Sequence, residues 1–273
     1  MKLLFSILLS LCITASLFCG IPQEKDISTF FDEVNKPFAL SINGCNFNSS
    51  FYVGGIPHFN IEAGVTGLGF NIKKPDGKGD IKCAISMFSV EGNMGIFKGF
   101  SPAPLWSGFL GFEAGVRGSI TPLFGALNEY KQKYPYGFSG LAKLNLLKNI
   151  GFIPAVSFST EYSYLMAPKF RFSDIQTGEE SFCSFSQSSF YYHFDIRENI
   201  GLVYIYTGTG WISSTIEGNY DTEENERDIN SESETSNKFW FGLTIPVELI
   251  DVNLEFGKAG PYGFYGAALG FRM

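Results

Sequence analysis

The chain has 273 residues, of which 29 are Phe, 13 Tyr, 3 Trp and 31 Gly; only 17 % are charged, and the formal net charge is −7. So many aromatics exclude intrinsic disorder, and the acidic balance argues against a nucleic-acid partner. Beyond residue 20 no apolar run approaches the roughly 20 residues of a membrane helix, and mean hydropathy is only +0.07, which also excludes a polytopic helical membrane protein.

Residues 1–20 read as a secretory signal peptide. Lys2 supplies a positive start, Leu3 to Phe18 is an apolar stretch broken only by Ser and Thr, and Thr14, Ala15, Ser16 and Gly20 offer cleavage points. The alternatives are an uncleaved anchor, for which the stretch is short, and lipid attachment at Cys19, for which Phe18 is a poor neighbour. Cys45, Cys83 and Cys183 remain in the exported chain, an odd number that allows at most one internal disulfide. With only His58 and His193 and no Cys-x-x-Cys pair, neither a zinc site nor any other cofactor is expected.

Residues 21–57 form an N-terminal helical segment. Ile27, Phe30, Phe31, Val34 and Phe38 recur at helical spacing, which predicts an amphipathic helix over 23–38. Its polar face carries Glu24, Lys25, Asp32, Glu33 and Lys36. The helix is expected as a plug in a lumen, as a cap on the periplasmic mouth, or packed under the rim without a gating role.

From 58 to 273 the dominant period is two. Leu110, Phe112, Ala114, Val116 and Ile120 oppose Glu113, Gly115 and Arg117, and Val156, Phe158, Thr160, Tyr162 and Tyr164 oppose Ser157, Ser159, Glu161 and Ser163. Phe190, Tyr192, Phe194 and Ile196 oppose Tyr191, His193, Asp195 and Arg197. Phe239 to Leu249, Val252 to Phe256 and Tyr265 to Met273 continue the alternation, and 58–72, 80–90, 137–147 and 199–216 are weaker candidates. The fold class this predicts is all-β: an antiparallel up-and-down transmembrane β-barrel of about 10 strands (roughly 8–12), with a short N-terminal helix before it. Its large apolar face meets lipid and its polar face fills the interior, because every backbone group inside a membrane must be paired and the sheet must therefore close.

Loop lengths set the sidedness, since such barrels carry short periplasmic turns and longer outer loops. The outer connections fall at 73–79, 121–136, 166–183, 217–237 and 258–261, and the periplasmic ones at 91–105, 148–151, 197–198 and 249–251. The 91–105 connection is too long for its side. Residues 217–237 hold eight acids against one base, which accounts for the whole net charge of −7; they read as a solvated, mobile outer loop or as a cation or surface-partner site. Trp106, Trp211 and Trp240 are expected in an interfacial girdle, and Cys83, in step with Ile81, Ile85 and Met87, on the lipid face.

The stretch GFSGLAKLNLLKNIGFIPAVSFSTEYSYL at 137–165 resembles part of a family of uncharacterised bacterial outer-membrane β-barrel proteins, a domain of unknown function. IGLVYIYTGTGWISSTIEGNYD at 200–221 and YGFYGAALGFRM at 262–273 fit the same loose glycine-aromatic pattern, over about 25–273. The resemblance implies an exported barrel and carries over no catalytic residues. The architecture is more distantly similar to hydrophobic-compound outer-membrane channels with an N-terminal plug, which have more strands. The last strand also resembles a barrel-assembly signal, with Met273 where the terminal Phe stands and Phe271 two places earlier.

The predicted interior collects Glu62, Lys82, Glu113, Arg117, Lys143, Asn145, Glu161, His193, Asp195, Arg197, Asn253 and Glu255. Buried charges must be paired or wetted, so this face is either an ion-pair network that stiffens the barrel or a narrow polar path. For a path, Glu113, Arg117, Glu161, His193, Asp195 and Arg197 are the candidate pore-lining residues. His193 and Asp195 lie two apart on one strand, with Ser157 or Ser159 on a neighbour, but nothing else supports hydrolysis and no Gly-x-Ser-x-Gly is present; an enzyme is not expected. The sequence thus points to a bacterial outer-membrane protein in contact with lipid. It reads as a narrow channel for a small solute or hydrophobic ligand, or as a structural or surface-interaction barrel with no transport role.

Overall fold

The computed structural model describes residues 24–46, 54–56, 58–73, 80–102, 108–121, 134–148, 153–173, 180–222, 226–230 and 233–272. The signal-peptide reading and Trp106 lie outside them. Helix α1 (Glu24–Ile42) precedes β1 (Phe59–Lys73), β2 (Asp80–Phe97), β3 (Gly111–Ile120), β4 (Tyr136–Leu147), β5 (Ala155–Ser173), β6 (Glu180–Ile200), β7 (Val203–Thr222), β8 (Glu226–Asn230), β9 (Glu234–Val247), β10 (Ile250–Ala259) and β11 (Tyr262–Arg272). All strand pairings are antiparallel, and β1 pairs with β11 while β6 pairs with β7. Ten strands therefore close into an up-and-down barrel, and β8 is appended to the outer end of β7. No described helix is long and apolar enough to cross a membrane; the strands do the crossing.

The wall has two zones of opposite polarity, and β6 shows both. Toward its C-terminal end Phe190, Tyr192, Phe194 and Ile196 are exposed on the outside, while Tyr191, His193, Asp195 and Arg197 are buried inside. Toward its N-terminal end Ser184, Ser186 and Ser188 face outward and Cys183 and Phe185 are buried within. The exposed apolar row fits the roughly 9–11 residues of a membrane-crossing strand. It continues around the cylinder through Phe112, Val116, Phe138, Phe239, Phe241, Leu254, Phe256 and Leu269. The outer ends of β1, β2, β5, β6 and β7 instead follow the rule of a water-soluble sheet, with the apolar side turned in. There Phe70, Ile85, Met87, Leu165, Phe185, Ile216 and Tyr220 pack with Phe31, Val34, Phe38 and Ile42 of α1 into one core.

This second zone explains where the structure departs from the sequence reading. Ile85 and Met87 are buried against α1 and do not face lipid; the side chain of Cys83 lies outside the described residues. The connection at 166–183 shrinks to 174–179, because β5 and β6 run on above the membrane as sheet. Residues 217–237 are not a loop throughout: β7 extends to Thr222 and β8 pairs Asn230 to Glu226 against Glu217 to Asp221. The turn placed at 197–198 lies at 201–202, with Gly201 at φ 69°. Residues 91–97 belong to β2, so the connection is 98–110. Gly92, Asn93 and Gly95 resemble a turn, yet Val90, Met94 and Ile96 keep the exposed apolar row going. Gly95 is required there because a Cβ would lie 1.9 Å from the carbonyl oxygen of Gly54, where residues 54–55 cross the strand end.

Trp211 stacks on its cross-strand neighbour Tyr192 at 5.4 Å, near the outer edge of the apolar row, as an aromatic girdle requires. Trp240 is not in the girdle. It is 2 % exposed inside the barrel, edge-on to Tyr191 and His193. Parity decides this: with Phe239 and Phe241 turned to lipid, Trp240 must turn inward.

Candidate functional site

The lumen is built by the inward positions of the membrane zone and is occupied from above by α1. Phe31, Val34, Asn35 and Pro37 to Asn46 are buried. The helix runs through Pro37, which has no N–H to donate, a break costing about 3 kcal/mol in isolation; apolar packing inside the wall offsets it. It ends where Asn43 and Gly44 donate their N–H groups to Ala39 and Ser41 carbonyls, with Gly44 at φ 50°, the left-handed conformation glycine adopts most readily at a helix end.

The last turn of α1 carries no basic residue, and the barrel supplies cations instead. Arg117 donates to the Asn43 carbonyl at 3.0 Å and the Ile42 carbonyl at 3.4 Å. Lys238 donates from Nζ to the Gly44 carbonyl. Positive charge at the C-terminal end of a helix is where the aligned peptide dipoles favour it. Glu255 completes the contact by accepting the Asn46 N–H at 2.9 and 3.1 Å. Higher up, Gln187 donates to the Asn35 carbonyl and to Asn35 Oδ1, and Asn43 donates to Ser189 Oγ and accepts from Ser163 Oγ. The segment is thus greased into the outer zone by its apolar face and latched at its lower end by charge, beside a second apolar cluster of Ala39, Leu40 and Cys45 with Leu68, Tyr191, Tyr206 and Trp240.

Arg117 is the centre of the latch. Its Nε and Nη2 donate to Glu91 Oε2 at 2.8 and 2.6 Å, and its Nη1 donates to Glu161 Oε1 at 3.0 Å. It is 4 % exposed, so these are charge-assisted bonds in a dry setting, the stronger kind. Lys143 pairs with Glu113 at 3.2 Å, and Asn145 donates to the same carboxylate at 2.6 Å. His193 Nδ1 lies 2.7 Å from Asp195 Oδ2, with its ring stacked on Tyr191 at 4.5 Å. Arg197 lies over the Tyr204 ring at 3.7 Å near the inner end.

All six candidate pore-lining residues, Glu113, Arg117, Glu161, His193, Asp195 and Arg197, are buried on the inner face. The structure brings Arg117 and Glu161 into contact directly, while Glu113 belongs to the Lys143 pair. Of the wider set, Glu62 accepts from Asn253 at 3.1 Å; the Lys82 side chain lies outside the described residues. Glu91 was missed because it was placed in a connection. Lys238 was missed because Phe239, Phe241 and Leu243 drew attention to the opposite face, although strict alternation would have found it.

Below the latch lies a cavity of about 20 Å³ lined by Asn46, Glu91, Glu113, Arg117, Ser159 and His193, among others; it has room for about one water. Ser159 stands across the ladder from His193, and Ser157 across from Asp195. The Ser159 hydroxyl has no hydrogen-bond partner in the protein, so the serine–histidine contact that activates a nucleophile is not formed. Among the described residues no cluster of His, Cys, Asp and Glu is arranged to hold a metal ion. Cys45 and Cys183 are free, buried thiols.

A closed antiparallel cylinder with an apolar belt outside and ionic groups within defines an outer-membrane β-barrel protein. No protein-family model matches the chain, and no curated protein matches it. Among solved structures it is similar to the transport unit of the autotransporter AIDA-I from Escherichia coli, at 12 % identity over 92 % of this chain and 98 % of that one, with a TM-score of 0.42. The translocator domain of the autotransporter NalP from Neisseria meningitidis matches at 9 % identity, over 79 % of this chain and 87 % of that one, with a TM-score of 0.43. The outer membrane protease OmpT from Escherichia coli matches at 7 % identity, over 82 % of this chain and 100 % of that one, with a TM-score of 0.42. Such distant likenesses carry no information on activity.

Proposed function

We propose that this protein is a plugged outer-membrane channel: residues 21–57 hold the lumen shut, and release of their lower end opens a narrow polar path for small solutes. The observation that carries this reading is the chemistry of the latch. The inner end of the plug is held by Arg117, Lys238 and Glu255 through ionic hydrogen bonds, and below Ile42 its apolar contact is confined to Cys45, which joins Leu68, Tyr191, Tyr206 and Trp240 in a second buried cluster. Ionic contacts of this kind exchange readily for water once the lumen is wetted, whereas a segment meant only to fill the barrel is better served by apolar packing. Glu113, Arg117, Glu161, His193, Asp195 and Arg197 then line the path. Among the described residues, buried inner-face carboxylates number seven (Glu62, Glu91, Glu113, Glu161, Asp195, Asp251, Glu255) against four basic side chains (Arg117, Lys143, Arg197, Lys238). An excess of carboxylates favours cations in a pore, so the open path is cation-selective.

The test is planar-bilayer recording of refolded protein. The full chain is expected to be silent or nearly so, and a variant lacking 24–46 is expected to give small, cation-selective single-channel events. Silence from the deleted variant, in a preparation that retains heat-modifiable mobility, would remove the transport reading. It would leave the alternative of a structural or surface-interaction barrel, which the close apolar packing of α1 against the outer zone favours.

A further inference from the structure

Helix α1 enters the barrel from the outer mouth, and the exposure of its side chains gives the direction. Thr29 and Asp32 are exposed and Glu33 is half-buried, whereas everything from Pro37 to Asn46 is buried. Its partners change in step. Phe31 meets Phe185 at 5.8 Å and fills the space above Gly218, where a Cβ would lie 2.4 Å from its ring. Lys36 pairs with Glu234 at 3.1 Å, at the first residue of β9. These positions belong to the ends of β6, β7 and β9 that carry the outer connections. Ile42 lies against Gly137, and residues 43–46 meet Thr66, Arg117, Tyr191 and Glu255 at membrane level. Beyond them, Gly54 and Gly55 lie beside His58, Gly95 and Lys98 at the opposite end. Residues 24–46 therefore run from the outer end to membrane level, and residues 54–55 stand at the opposite end just before β1.

We infer that the amino-terminal end of the exported chain is presented on the cell surface, and that the polypeptide threads its own barrel from outside to inside before building the wall. This rests on the membrane sidedness used above, with the ends of the barrel wall, Phe59 and Arg272, at the periplasmic face. The helix cannot be turned around in place. The exposed pair Thr29 and Asp32 would then be buried at the level of the latch, and the apolar cluster would lose Phe31. The first turns of α1, the Lys36–Glu234 pair and the β7–β8 hairpin together form the outward-facing rim, so an exterior partner or protease meets the N-terminal residues first.

The test uses the full chain inserted in the outer membrane of living cells, with Cys45, Cys83 and Cys183 replaced by Ser and single cysteines placed by Thr29→Cys or Asp32→Cys. The reference sites are Thr177→Cys, between β5 and β6, and Leu202→Cys, in the β6–β7 turn. A membrane-impermeant maleimide applied to intact cells is expected to label positions 29, 32 and 177, and position 202 only after permeabilisation. Labelling of 177 in intact cells but of 29 and 32 only after permeabilisation, or not at all, overturns the inference and leaves the sidedness standing. The reverse pattern at 177 and 202 overturns the sidedness and the inference with it. If the cysteine-free chain loses heat-modifiable mobility, an epitope inserted before Glu24 in the otherwise unaltered chain reads the same question: antibody binding to intact cells supports the inference, and binding only after lysis refutes it.

Discussion

Replacing Arg117 by Ala removes one of the charged holds on the plug, the one that also bridges Glu91 and Glu161. The guanidinium's 3.0 Å bond to the Asn43 carbonyl is charge-assisted, and bonds to charged groups contribute about 1.5–3 kcal/mol; the 3.4 Å contact to the Ile42 carbonyl adds little. Glu91 and Glu161 also lose their cation, and breaking a buried pair from one side costs about 3–5 kcal/mol. Much of that cost vanishes when the plug leaves and water enters, so it falls mainly on the closed state. Taking about 2 kcal/mol as the loss in plug retention, the opening equilibrium rises about 30-fold. Cys45 reports it, because its thiol is buried beside Thr66 when the latch is closed. In a C83S/C183S background, the rate of maleimide labelling at Cys45 is expected to rise by about that factor in R117A. Adding E91Q and E161Q should reverse part of the rise, since neutral amides need no cation. An unchanged Cys45 rate in an R117A protein that still folds would refute the latch.

Three further outcomes follow from named contacts. Val116, 69 % exposed on the lipid belt, should lose about 2–4 kcal/mol on V116R near the bilayer midplane, read as a lower denaturant midpoint for the gel-mobility shift, whereas Lys36→Ala at the half-exposed rim pair should shift it by less than about 1 kcal/mol. Gly242→Ala is expected to cost about 1–3 kcal/mol by overpacking, because its Cβ would lie 2.0 Å from the Tyr206 ring, whereas Gly140→Ala, which opens onto empty space, should be nearly neutral in the same assay. Ser159→Ala should leave the midpoint within about 1 kcal/mol of the parent, since its hydroxyl has no protein partner to lose.

The membrane zone was legible because lipid and lumen impose opposite demands on alternate residues. Phe190, Tyr192, Phe194 and Ile196 against His193, Asp195 and Arg197 admit one reading. The outer zone was misread because the same period carries the opposite meaning there. Ile85 and Met87 look like lipid-facing residues until it is seen that they lie above the belt, against a helix. The clue was available in β6, where Ser184, Ser186 and Ser188 replace the aromatics on the outward side without any change of phase. Apart from Lys238, whose strand was recognised, the charges that hold α1 were found by parity where a strand was recognised, and one was lost where glycines hid the strand, at Glu91. What no linear pattern contained was the latch: Arg117 and Lys238 are brought to the end of α1 only by closure of the wall around it.

The unequal strand lengths also shape the approach to this molecule. Above Phe190, β6 continues through residues 180–189, roughly 30 Å of strand, and its neighbours β5 and β7 rise with it. By contrast β10 ends at Ala259 and β11 begins at Tyr262, three residues from the outermost belt positions Phe256 and Tyr265. A palisade therefore shelters one side of the entrance while the β10–β11 side stays near the headgroups, and a molecule diffusing along the lipid surface finds its unobstructed approach there.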